Sequence, residues 1–339
     1  MHLDCKSINK MLSFFSGGIL PDQYIGGFLM KILVTGGAGF IGSHLVRQLL
    51  ALGHEVVVLD NLSTGVRVHL PVDGFVFWEL DDRTAEARER IIAGHFDAIV
   101  HLAGQTMVDA SIRDPHFDAS ENVMGTVNVL EAARLSGVKR VIFASTAAAY
   151  GDVTEKLLPL REDLPLEPLS FYGLTKIMVE RYLALYHALY GLDYVVLRFA
   201  NVYGERQGDK GEGGVISIFA KRVAKGDSLT IFGDGGQTRD FIYAGDIANG
   251  IAHALTTEHV NTAYNLSTQT ETSLNDLITI FGKVVGKELQ SVHRSAREGD
   301  IYRSMLANKK ASIFMGWWPE VSLEEGLRRT VKYFADLDC

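Results

Sequence analysis

Tyr172 and Lys176 stand at i, i+4 spacing in Phe171-Tyr172-Gly173-Leu174-Thr175-Lys176. On a helix that spacing puts both side chains on one face. A free phenol has a pKa of about 10, which makes it a poor base at neutral pH. A fixed ammonium beside it favours the phenolate. Bringing the pKa down to about 7 takes roughly 4 kcal/mol of differential stabilisation. Such a phenolate can take the proton of an alcohol while the carbon is oxidised. A second candidate is Thr146, in Phe143-Ala144-Ser145-Thr146-Ala147-Ala148. Its hydroxyl can donate to a developing carbonyl oxygen and relay a proton to Tyr172. The Ser145-Thr146 pair can equally bond to local backbone.

An oxidised carbon needs an electron acceptor, and a glycine-rich segment offers a place for one. Thr35-Gly36-Gly37-Ala38-Gly39-Phe40-Ile41-Gly42 follows an apolar run. Gly36 permits a tight turn, Gly39 a close approach of backbone to a pyrophosphate, and Gly42 close packing of the following helix. The helix N-terminus then presents free N–H groups to phosphate. The spacing is G-x-x-G-x-x-G, so the strand–turn–helix context carries the dinucleotide reading. Asp60 ends the next strand. A carboxylate there can accept from both ribose hydroxyls and repels a 2′-phosphate, which predicts NAD over NADP. Asp81 and Asp82 end the third strand. Either is placed to receive an adenine amino group, and both are also ordinary turn formers.

These groups need a scaffold that brings them together. Strand-like runs at 31–35, 55–59, 75–79, 97–102, 140–145 and 194–199 alternate with helical stretches at 84–93, 117–136 and 171–190. That alternation predicts an α/β fold, a doubly wound parallel sheet of Rossmann type with helices on both faces. Thr146 then falls at the carboxyl edge, where such sheets bind ligands. Beyond 201 the rhythm breaks into glycine-rich and mixed stretches. We expect a Rossmann domain at 30–200, to which 237–258 returns, and a smaller α/β substrate-binding lobe at 201–339. Ser322 and Glu325 have the spacing of a capping box and predict a terminal helix. Residues 1–29 read as an appended or non-native segment, with Met30 as the functional start.

The chain has 339 residues with Lys+Arg 33 and Asp+Glu 41, a net charge of −8. Apolar residues make up 47% and charged residues 22%, as in folded globular chains. The acidic balance argues against nucleic acid as a partner. No stretch approaches the roughly 18 apolar residues of a membrane helix. Two cysteines, Cys5 and Cys339, stand at opposite ends and form no disulfide framework, which points to a reducing, cytoplasmic compartment. The histidines show no ligand spacing, and no metal is expected.

Further motifs accompany these groups: Asp60-Asn61-Leu62-Ser63, His101-Leu102-Ala103-Gly104-Gln105, Asn122-Val123-Met124-Gly125-Thr126, Arg198-Phe199-Ala200-Asn201-Val202-Tyr203-Gly204, Thr238-Arg239-Asp240-Phe241-Ile242-Tyr243 and Arg297-Glu298-Gly299-Asp300. From residue 31 to about 337 the chain resembles the extended short-chain dehydrogenase/reductases, and within them the UDP-glucose 4-epimerases. The resemblance implies inversion at C4 of a UDP-sugar through a 4-keto intermediate, with hydride held transiently by bound NAD. It assigns NAD contacts to Gly36, Gly39, Phe40, Ile41, Gly42, Asp60, Asn61, Ser63, Asp81, Asp82, Leu102, Ala103, Gln105 and Asn122, besides Tyr172 and Lys176. On the substrate side it implies Asn201 at the diphosphate and Arg239 and Arg297 as a phosphate clamp. Asp300 would sit at the uridine ribose, and Thr230 and Phe232 would line the uracil pocket. An Asn usual in the family near 213–215 is absent, which leaves Val215 bordering the pocket. Ser304 aligns with a bulky position that limits the sugar pocket, so N-acetylated sugars are expected to fit. A homodimer through the 117–136 and 171–190 helices is implied as well. UDP-glucuronate epimerases share most of these features. Dehydratases carry an Asp-Glu pair after the Thr and decarboxylases a Glu. Here Ala147 and Ala148 stand in those places.

Overall fold

The computed structural model describes residues 29–208, 213–296 and 301–337. The expected disordered or non-native segment at 1–29 therefore lies almost wholly outside the described residues. The apolar runs form strands because branched residues such as Ile32, Val34, Val56, Val57 and Val58 suit a sheet buried on both faces. β1 (Lys31–Thr35) leads through the glycine turn into α1 (Phe40–Ala51). β2 (Glu55–Asp60) and β3 (Phe75–Glu79) follow. α2 (Ala85–Gly94) starts at Thr84, whose Oγ1 accepts from the Ala87 N–H at 3.1 Å. After β4 (Ala98–His101) come two short helices, α3 (Val108–Arg113) and α4 (Pro115–Ala119). A π-helical turn, Ser120–Met124, joins α4 to α5 (Gly125–Ser136). β5 (Arg140–Thr146), α6 (Phe171–Tyr190) and β6 (Asp193–Phe199) complete the first unit.

The stretch expected as one helix at 117–136 is thus broken. Asp114 caps the preceding turn, accepting from the Phe117 N–H at 2.9 Å, with Pro115 in the first turn. The π turn widens the backbone by one residue, and Thr126 Oγ1 donates to the Asn122 carbonyl at 2.5 Å inside it.

The remaining elements are β7 (Asn201–Tyr203), α7 (Val215–Lys225), β8 (Leu229–Phe232), β9 (Thr238–Arg239), β10 (Phe241–Tyr243) and α8 (Ala244–Thr256). Then come β11 (Thr262–Leu266), β12 (Thr272–Ser273), α9 (Leu274–Val285), β13 (Ser291–Arg294), α10 (Lys309–Met315) and α11 (Leu323–Leu337). The Ser322 hydroxyl accepts from the Glu325 N–H at 3.3 Å where α11 begins.

The main sheet runs β11-β6-β5-β4-β1-β2-β3, all parallel. The chain winds outward from β1 to β3, then returns to β4 on the other side of β1. Loops after β1 and β4 diverge there and open a crevice at the carboxyl edge. α1 and α8 cover one face and α2, α5 and α6 the other, each over its own apolar cluster. The chain's return to this sheet runs beyond 258, since β11 is its outermost strand. A third cluster, including Phe219, Leu277, Phe281 and Leu327, holds α7, α9 and α11 together beside it.

Candidate active site

A cleft of about 910 Å³ opens at the carboxyl edge, where β1 and β4 part. Its floor is the glycine turn. Gly36 has φ +68°, and a Cβ there would lie 2.6 Å from the Ala103 nitrogen. A Cβ on Gly42 would lie 2.2 Å from the Gly36 carbonyl oxygen. Backbone therefore packs on backbone, and α1 begins at Gly39 with no side-chain cap. Gly36, Gly39, Phe40, Ile41 and Gly42 all line the cleft, as do Asn61, Ser63, Leu102 and Ala103.

Asp60 is buried at the cleft wall. Its carboxylate accepts from the Ala38 N–H at 2.9 Å and the Leu62 N–H at 2.8 Å. Burial pushes its carboxyl up, and these backbone donors pull it back. Of the two acids after β3, only Asp82 lines the cleft. Asp82 Oδ2 is buried with no hydrogen-bond partner, and burial with the charges of Asp81 and Glu121 pushes its carboxyl up to about 7. Asp81 is turned aside. It holds Arg83 at 2.5 Å and accepts from Asn61 at 3.2 Å, and these bonds lower it to about 2.

Gln105 and Asn122, expected at the cofactor, are not among the residues lining the cleft. Both side-chain amides donate to Asp118, Asn122 from its buried position on the π turn. Asn122 Oδ1 is left buried without a partner, against Gly104, which does line the cleft.

Tyr172, Lys176 and Thr146 line the same cleft. α6 starts at Ser170, whose hydroxyl accepts from the Gly173 N–H at 3.1 Å, so both catalytic candidates lie in its first two turns. Lys176 is buried, with Nζ 4.9 Å from the Phe143 ring centroid and 5.9 Å from that of Tyr172. Burial lowers its pKa to about 8, and Asp118 opposes that fall. Thr146 Oγ1 accepts from the Ala148 N–H at 3.1 Å, which leaves its O–H free to donate. The Ser145 hydroxyl is committed elsewhere, donating at 2.6 Å to Glu180, the partner of Arg198. His101 is wholly structural. It bridges Thr35 and Thr126, and burial drops it to about 3.

Asn201, Val215, Arg239 and Ser304 line the cleft as well. Arg239 also donates to the Thr238 carbonyl at 2.8 Å. Thr230 and Phe232 lie on β8, which pairs with β13, and neither is on the cleft wall. Arg297 and Asp300 lie outside the described residues. The sequence reading passed over Gln207, Gly104, Glu121 and Arg303, all of which line the cleft. Gly104 stands inside the His101–Gln105 motif and Gln207 three residues after Gly204, and that adjacency was the available signal. Among the described residues no cluster of His, Cys, Asp and Glu could hold a metal ion, and no helix is long and apolar enough to cross a membrane.

The NAD dependent epimerase/dehydratase family model matches residues 32–267. A UDP-glucose 4-epimerase of Mycolicibacterium smegmatis is 41% identical over 310 residues, covering 90% of this chain and 98% of that protein. The crystal structure of a Thermotoga maritima UDP-glucose 4-epimerase with UDP-glucose superposes with a TM-score of 0.88 at 40% identity, over 91% of this chain and all of that one. A Thermus thermophilus UDP-glucose 4-epimerase in complex with NAD gives 0.83 at 42% identity, over 90% of this chain and 99% of that one. The chain belongs to the NAD dependent epimerase/dehydratase family. The residues present fit NAD, with an uncapped helix start over a side-chain-free glycine turn, a carboxylate at the end of β2 and an unpaired Asp82 oxygen.

Proposed function

We propose that this protein is a UDP-glucose 4-epimerase that interconverts UDP-glucose and UDP-galactose. One observation carries the reading. Thr146, Tyr172 and Lys176 share a cleft with the glycine turn, while the positions after Thr146 hold only alanine. Elimination or decarboxylation would require further acid–base groups at the sugar. Bound NAD supplies the two-electron acceptor. The Tyr172 phenolate, favoured by the Lys176 ammonium, takes the proton from the sugar 4-hydroxyl. Thr146 donates to the oxygen that becomes a carbonyl and keeps it aligned with the Tyr172 ring oxygen. Asn201 and Arg239 hold the diphosphate while the 4-keto sugar turns over, and Tyr172 then returns its proton to the O4 oxygen as C4 is reduced on its other face by the hydride that bound NAD would have held. Asp60 receives the ribose hydroxyls and Asp82 the adenine amino group, which completes its unpaired oxygen.

Incubation with UDP-galactose should give UDP-glucose as sole product. A panel adding UDP-GlcNAc, UDP-glucuronate and dTDP-glucose tests the reading. Formation of a 4-keto-6-deoxy sugar or a pentose, or no turnover of UDP-galactose, would contradict it.

Ser304 gates the sugar pocket in this reading. Ser304→Tyr is expected to lower the rate on UDP-GlcNAc relative to UDP-glucose about tenfold. An unchanged ratio removes the assignment.

The active form is a homodimer. Phe171, Leu174, Met178, Tyr182, Leu185 and Leu189 form an exposed apolar stripe along α6, and Phe117 and Met124 are exposed on the adjoining segment. A stripe at i, i+3, i+4 and i+7 is the pattern of a helix face that packs on a partner. Sedimentation should give a dimer, and Leu185→Glu with Leu189→Glu a monomer. We place the reaction in the cytoplasm, consistent with two cysteines at opposite chain ends.

A further inference from the structure

Asp118 takes no part in the mechanism above, yet it is fully buried behind the catalytic pair. Its carboxylate gathers three segments that are distant in the chain. Oδ1 accepts from Gln105 Nε2 at 2.6 Å and from Asn122 Nδ2 at 3.1 Å. Oδ2 accepts from Thr175 Oγ1 at 2.9 Å. Gln105 belongs to the loop after β4, Asn122 to the π turn and Thr175 to α6, next to Lys176. A buried carboxylate that accepts from three side chains is firmly held, and it works within a shared network: Gln105 Nε2 also donates to the Met107 carbonyl at 2.9 Å, Asn122 Nδ2 to Thr175 Oγ1 at 3.1 Å, and the Tyr172 carbonyl lies 3.0 Å from Thr175 Oγ1 as an alternative acceptor.

The same carboxylate answers an electrostatic problem. Lys176 is buried against the Phe143 ring and needs a counter-charge to stay an ammonium. On α6 it faces Tyr172. On β5 it lies over the Phe143 ring, which stacks on His101, kept neutral by burial. Glu180, one turn further along α6, is paired with Arg198 at 2.7 Å. Toward the π turn it faces the neutral Asn122 amide across Gly104. Asp118 is the carboxylate whose charge opposes the effect of burial on Lys176. Burial pushes the Asp118 carboxyl up, and Thr175, Gln105 and Lys176 bring it back down.

We propose that Asp118 is a positioning residue for the Tyr172/Lys176 pair: it ties the Gln105 loop and the π turn to the catalytic helix and supplies the buried negative charge that keeps Lys176 an ammonium. The proposal rests on the catalytic reading of Tyr172 and Lys176. It requires no contact between Asp118 and the sugar.

The sign of its pH effect follows directly. Lys176 works as the ammonium, so activity falls as pH rises through its pKa. Removing the negative charge of Asp118 lowers that pKa, and the alkaline limb moves to lower pH. The test is kcat against pH for the wild type, Asp118→Asn, Thr175→Val and Tyr172→Phe. Asp118→Asn is expected to shift the alkaline limb down by about one pH unit. Thr175→Val keeps the charge and loses the tie to α6, so kcat should fall about fivefold with the limb in place. A residue with a purely structural role would lower the rate at every pH without moving the limb. A limb in Asp118→Asn that coincides with the wild type overturns the charge role. Wild-type kcat in Thr175→Val overturns the tie, and it does so even if Asp118→Asn fails to fold. Full activity in Tyr172→Phe would instead overturn the underlying reading of the pair, which distinguishes the two failures.

Discussion

Tyr172→Phe should lower kcat about 10³-fold while NAD content stays at the wild-type level. The substitution removes one oxygen and keeps the ring that packs beside Lys176. A positioned acid–base group contributes about 10² to 10⁴ in rate, and here the same oxygen serves in both directions of proton transfer. Thr146 lacks the pKa to replace it, since a hydroxyl of that kind donates but does not act as a base near neutral pH. KM for UDP-galactose should change little, because Asn201 and Arg239, proposed to hold the diphosphate, are left intact in the cleft. Rates are measured by product formation and NAD by release on denaturation. Turnover within a few-fold of wild type would remove Tyr172 from the mechanism.

Gly42→Ala should cost at least about 3 kcal/mol of stability and most of the bound NAD. The added methyl carbon would sit 2.2 Å from the Gly36 carbonyl oxygen and 2.6 Å from the Gly37 Cα. Both neighbours are backbone and belong to the turn itself. Neither can move without shifting Gly39 and the start of α1, where phosphate binds. Ala at an ordinary helix position is favourable, which makes the expected loss diagnostic. Thermal denaturation and NAD content are the readouts. An unchanged Tm with a full complement of NAD would show that α1 need not lie so close.

The parts of this site that were legible in the sequence are those set by local spacing. Gly36 to Gly42 and Tyr172 to Lys176 each work within one turn or one helix, so neighbouring residue types carry the geometry. Six of the seven strands were nearly as legible, because branched apolar runs alternate with amphipathic helices, whereas β11 lies beyond 201, where that rhythm breaks. Asp118 was not. Nothing in Asp114-Pro115-His116-Phe117-Asp118 tells a capping acid from a buried one, and only tertiary packing brings Gln105 and Thr175 to it. The π turn at Ser120–Met124 escaped for a related reason, since one extra residue barely disturbs helical periodicity. Thr230 and Phe232 were assigned by resemblance alone, since nothing in their local spacing on β8 marks a pocket.

The central claim is that the phenolate acts on the hydroxyl proton, and that carbon 4 is oxidised and reduced rather than deprotonated. Conversion of UDP-galactose carrying deuterium at C4, run in ordinary water, tests it most directly. Deuterium should be retained at C4 of the UDP-glucose formed, while the hydroxyl proton exchanges freely. Replacement of that deuterium by solvent hydrogen would contradict the account.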